Sequence, residues 1–187
     1  MANDVASSVI VPNRIAPRLS TLTLRADDGS LPMVVYRMPP SSQFARTRSQ
    51  TWEGPVMGNR FEVAVGAGSM MSAADTAARF PHRWTPGGVT VEADFTGAHL
   101  LHLAAAGCVL NDVYREAAAL GIGLQGVRVT AAGGFDPATW QSTGIDYSVE
   151  VSSDAPADQL AHLLEVVDQV AEIPHAIRAG ATVRRAG

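Results

Sequence analysis

The chain has 187 residues, 47% of them hydrophobic, a formal net charge of -4 and a pI near 5.7, which suits one domain with a sizeable core. All fourteen basic residues are arginines and none of them cluster, so no nucleic-acid footprint is expected. A single cysteine allows no internal disulfide, which fits a cytoplasmic location.

Residues 1–19 read as an ill-ordered or docking segment, and MANDVASSVIVP lacks the basic start of a secretory signal. Thr21–Arg25 and Met33–Arg37 flank the turn Asp27-Asp28-Gly29-Ser30, a hairpin signal, and Pro39-Pro40-Ser41-Ser42 reads as a linker. A second hairpin is expected from Ser49–Glu53 into Phe61–Val65, and residues 70–88 read as loop, with Pro81, Pro86 and Gly87-Gly88.

The longest helix is predicted over Gly97–Leu120, capped by Thr96 and stopped by Gly121. Its first half is apolar on nearly every face, which requires burial all round, and it is too short and too charged to span a membrane. Further on, Asp112 and Arg115 stand at pairing distance on one helix face. Val127 and Val129 alternate with polar residues, as do Ile145, Tyr147, Val149 and Val151, and both runs read as half-buried strands. A second helix begins near Pro156, places Leu160, Leu163, Leu164, Val167, Val170 and Ala171 on one stripe, and is expected to end before Pro174. Ala181–Arg185 is expected as a last strand.

This order gives an α+β fold: small antiparallel sheets packed around a long buried central helix. One sheet covers only one face of such a helix, so a second copy of the chain is expected on the other, in a homodimer.

Several motifs carry weaker signals. Gly121-Ile122-Gly123-Leu124-Gln125-Gly126 spells a dinucleotide fingerprint, but it follows a helix and opens a strand, so it reads as a glycine-capped turn. His99 and His102 are spaced like a metal pair, but no third ligand is spaced to join them, so no metal and no cofactor are expected. His99 at a helix start and the basic-aromatic loop Pro81-His82-Arg83-Trp84 are placed to line a pocket. No frame for Ser-His-Asp catalysis occurs.

Taken together, Trp52-Glu53-Gly54, Thr96-Gly97-Ala98-His99-Leu100-Leu101 followed by Ala104-Ala105-Ala106-Gly107-Cys108, Glu116–Ile122 and Val166–Gly180 resemble, in order and spacing, the OsmC/Ohr family. The resemblance covers about residues 47–185, leaving 1–46 as an N-terminal extension with a hairpin and 47–187 as the OsmC-like domain. It implies an intertwined homodimer and reduction of organic hydroperoxides. In that chemistry one cysteine attacks the peroxide, a second resolves the sulfenic acid, and an arginine and a glutamate hold the first thiolate. Matched position by position, the nucleophile is Cys108, the glutamate is replaced by Ala98 and the resolving cysteine by Ile173. The arginine's nearest candidate is Arg83.

Only a thiolate attacks peroxide, and a free thiol of pKa about 8.5 is only a few per cent ionised near neutrality. Burial in an apolar helix raises that value, and Asp112 one turn on opposes ionisation further. Arg83 or Arg60, or their copies in a partner subunit, would have to supply an activating charge.

Three readings stand. One is an OsmC-like dimer without efficient peroxidase activity, whose apolar interface pocket, with Arg60, Arg83, Trp84, His99 and His102, takes a small organic ligand. Another is a one-cysteine hydroperoxide reductase using Cys108 and an external thiol. The last is a structural dimer with no ligand.

Overall fold

A computed structural model describes residues 23–25, 33–37 and 60–186. The sequence readings for residues 1–19, the turn at 27–30, the linker at 39–42 and the strand at 49–53 with Trp52 lie outside the described residues.

The described residues form seven strands: β1 (Thr23–Arg25), β2 (Met33–Arg37), β3 (Phe61–Gly68), β4 (Ala78–Phe80), β5 (Val89–Glu92), β6 (Gly126–Phe135) and β7 (Ser142–Ser152). They form one antiparallel sheet in the order β1-β2-β7-β6-β3-β5-β4, rather than the small separate sheets expected. Two of these strands were not foreseen. β4 lies within the predicted loop and β5 just beyond it, each too short to show a period of two. Pairing of Val89 and Val91 with Ala67 and Val65 brings β5 into the sheet.

The predicted long helix forms as α1 (Gly97–Leu120). The Thr96 hydroxyl accepts from the His99 amide at its start, and Gly121 ends it in the left-handed region at φ 71°, donating its N–H back to the last turn. The expected ion pair is present: Arg115 Nη1 lies 2.8 Å from Asp112 Oδ1. The Leu/Val stripe after Pro156 folds as α2 (Ala157–Val170). A separate helix, α3 (Glu172–Ala179), follows it, with Pro174 tolerated inside the first turn because no intrahelical partner is needed for an amide there. Ala181–Arg185 is not a strand: α3 carries the chain to Gly180, and those residues have no ladder partner.

One hydrophobic cluster joins the layers. Val63, Val65 and Ala67 of β3, Val127, Val129 and Ala131 of β6, and Val149 and Val151 of β7 alternate along their strands and so share a sheet face. Against them pack Val109, Leu110 and Val113 of α1 and Leu160, Leu163 and Val167 of α2. α1 lies on β3 and β6 and also touches α2 and α3. Within the subunit its burial is one-sided: Leu100, Ala104 and Asn111 form an exposed stripe, with Leu100 39% exposed. No described helix is long and apolar enough to cross a membrane.

Candidate functional site

Cys108 sits midway along α1, half-buried on the side that meets α3. Its Sγ donates to Asp112 Oδ2 at 3.4 Å, one helical turn on. The start of α3 brings Glu172 to the same place, so that the ligating atoms of Cys108, Asp112 and Glu172 all lie within 4.8 Å of one another. Such a set has metal-ligand chemistry, and the cation that meets it among the described residues is Arg115, whose guanidinium is shared between Asp112 and Glu116.

These neighbours fix the protonation of the sulfur. Burial pushes the Cys108 thiol up; the backbone amide of Ile173, which hydrogen-bonds the sulfur, pulls it down; and the Asp112 and Glu172 carboxylates push it up again. The net direction is up. Asp112, only 2% exposed, is also raised, chiefly by burial, against the Cys108 and Arg115 contacts that favour its anion. Among the described residues no arginine acts on the sulfur.

The remaining predicted site residues separate into two groups. Arg83 and Trp84 stay together in the loop ahead of β5, the guanidinium carbon 5.7 Å from the indole centroid. His82 ties this loop to the helix: Nδ1 lies 2.7 Å from Thr85 Oγ1 and Nε2 lies 3.1 Å from Asn111 Oδ1. The Thr85 hydroxyl donates to Gly88 O, so it accepts from His82 Nδ1–H. In the neutral ring that leaves Nε2 an acceptor, and the Asn111 amide must then present its NH2 group rather than its oxygen. The ring of His82 stacks edge-on to Tyr114 at 5.3 Å and lies 5.4 Å from Trp84. Tyr114 is 7% exposed, its hydroxyl has no hydrogen-bond partner among the described residues, and burial pushes its phenol up to about 12.

Arg60, His99 and His102 form the other group, at the start of β3 and of α1, where Arg60 and His99 both bear electrostatically on His102. Arg60 Nε lies 3.7 Å from Glu62, and His99 pairs with Thr96 Oγ1 at 2.8 Å. The Phe61 ring meets His99 edge-on at 5.3 Å.

Thus the five pocket residues do not converge on one place, and none of them reaches Cys108 in this subunit. Sequence reading missed Glu172 and the Ile173 amide beside the sulfur, and Asn111 and Tyr114 beside Trp84, while His82 belongs to the basic-aromatic loop it singled out. Of these, Ile173 carried a signal, since it stands at the resolving position of the resemblance, and the structure places its amide on Cys108.

No curated protein matches the chain. Among solved structures it is similar to an OsmC-like hydroperoxide resistance protein from Jannaschia sp. CCS1, at 12% identity and a TM-score of 0.47, covering 68% of this chain and 92% of that one. The family model described as OsmC-like protein matches residues 90–185, from β5 through α3 and just over half of the chain. That span holds Cys108, Asp112, Glu172 and Ile173, and the chain therefore belongs to the OsmC-like family.

Proposed function

We propose that this chain uses the OsmC-like fold as a homodimeric scaffold for a small organic ligand and has no efficient peroxidase activity. The observation that carries the reading is the charge around the sulfur. Cys108 faces Asp112 and Glu172, and the nearest guanidinium is engaged by carboxylates. A thiolate there meets two like charges and, among the described residues, no counter-ion, so little of the nucleophile exists at neutral pH. With Ile173 where a second thiol would stand, an oxidised Cys108 has no internal partner for regeneration. The ligand is expected against the open stripe of α1 beside Trp84, His82 and Tyr114, an apolar wall with a few polar groups. The same stripe, with Leu100 at its edge, suits cover by a second copy.

The activity is tested with cumene hydroperoxide and a small dithiol, comparing wild type with Cys108→Ser. Equal rates are expected; a rate that depends on Cys108 would overturn the proposal. Native mass spectrometry of the purified protein tests the rest: two 19.6 kDa chains with a bound organic molecule are expected, and a bare single chain contradicts both the dimer and the ligand.

One observation favours the second reading, a one-cysteine reductase fed by an external thiol. The Ile173 amide at the start of α3 points at the sulfur, the kind of donor that stabilises a thiolate. One amide against burial and two carboxylates leaves the thiol form ahead.

A further inference from the structure

His102 has no exposed area, and among the described residues neither of its ring nitrogens has a hydrogen-bond partner. A neutral imidazole offers one donor and one acceptor, and an apolar side chain of similar size would fill the same space without stranding either. The contacts that hold the ring among the described residues are packing contacts. Phe61 and Phe135 each stand 6.4 Å from it, centroid to centroid, and Phe61 also packs against His99. Gly133 leaves just enough room for Nε2: a Cβ there would lie 2.9 Å from it. His102 thus joins the second turn of α1 to the start of β3 and the end of β6.

The groups that bear electrostatically on the ring, His99 one turn earlier on α1 and Arg60 ahead of β3, both disfavour its protonation. The carboxylates nearby are engaged elsewhere, Glu62 at 3.7 Å from Arg60 and Asp94 at 3.9 Å from His99, both largely exposed. On β7 the inward Tyr147 is hydrogen-bonded to Asp168 of α2, and Asp146 and Glu150 alternate to the opposite face. On β6, Arg128 pairs with Glu92 of β5. Among the described residues no anion stands ready to receive a charged His102 ring.

We propose that His102 is a proton-operated latch: in acid the ring takes a proton from solvent, leaves its enclosure, and releases the first two turns of α1 from Phe61 and Phe135. Burial first, then His99 and Arg60, hold the enclosed ring below the ordinary histidine range. The released ring takes its proton at the ordinary value, roughly 6.5. The closed form is therefore fully favoured above that value and loses ground as pH falls toward the lower, enclosed one. Across that window opening grows by up to about tenfold per pH unit. The latch does not depend on the ligand or on Cys108, which lies further along α1.

Hydrogen–deuterium exchange of the full chain, taken from about pH 7.5 down to about pH 5 to bracket the free imidazole value, tests this. After correction for intrinsic rates, protection of residues 97–104 is expected to fall about tenfold further than that of β6, and His102→Met is expected to abolish the difference. Uniform protection in the wild type, or the same local opening in His102→Met, would overturn it. Should the Met variant fail to fold, nitrogen NMR of the wild-type imidazole decides. A ring that takes its proton only as residues 97–104 lose protection supports the latch, and one that charges at the ordinary value with protection intact contradicts it.

Discussion

Asp112→Asn is expected to speed alkylation of Cys108 by a neutral reagent at pH 7 about tenfold, the gain in thiolate from a drop of one pKa unit. Asp112 is the hydrogen-bond acceptor of the thiol, 3.4 Å away, and its anion opposes a second negative charge at the sulfur. Asparagine keeps the size of the side chain, so the packing of α1 is retained. It also frees Arg115 from one of its two carboxylates, leaving a guanidinium without its 2.8 Å partner beside the site. Both changes favour the thiolate. An unchanged rate would mean that burial alone sets the protonation of Cys108 and that the carboxylate shell is incidental. The folded protein pays something for the exchange, since Arg115 loses a charged partner, but the exposed side of that pair limits the loss.

Gly133→Ala is expected to cost about 3 kcal/mol, the upper part of the range for forcing an extra methyl into a filled space. In a domain of this size that lowers the melting temperature by roughly 6–12 °C. The added Cβ would lie 2.1 Å from Gly144 O and 2.9 Å from His102 Nε2. The first contact is with backbone and cannot be relieved by a rotamer change, so β6 and β7 must separate where they are paired at Gly133 and Ile145. Gly97→Ala, with nothing within 4 Å of its Cβ, is the matched control and is expected to be neutral or slightly stabilising. Equal melting temperatures for the two variants would contradict the tight packing of His102 between α1 and the sheet. Differential scanning calorimetry reads both.

The parts of this fold that were legible in the sequence are those set by local chemistry. Thr96 and Gly121 bound α1 because a hydroxyl cap and a left-handed glycine act within a turn of themselves. The alternation from Ile145 to Val151 marked β7 because one strand face is buried. What was not legible depends on register and docking. Gly133 meets His102 only through the pairing of β3 with β6 and the seat of α1 upon them, contacts between residues far apart in the chain. Glu172 reaches Cys108 only because α2 stops at Val170 and the chain turns into α3. Likewise the loop residue His82 reaches Asn111 across 29 positions, which no spacing rule anticipates. Within one subunit Arg60 and Arg83 stand apart for the same reason: Arg60 precedes β3, while Arg83 precedes β5, and each stays with its own neighbours.

The Ile173 amide contact makes the family comparison concrete. The position that the resemblance assigns to a resolving thiol lies beside Cys108 and carries Ile173, which offers the sulfur its backbone amide and no second thiol. The same holds at Ala98, where the first turn of α1 carries no acidic residue.

The most direct measurement is the pH dependence of Cys108 alkylation in the wild-type protein, followed by mass spectrometry of the single labelled site. Burial, Asp112 and Glu172 together predict a midpoint above the ordinary thiol value of about 8.5. A midpoint well below neutrality would show that the sulfur is held as an anion and would contradict the account.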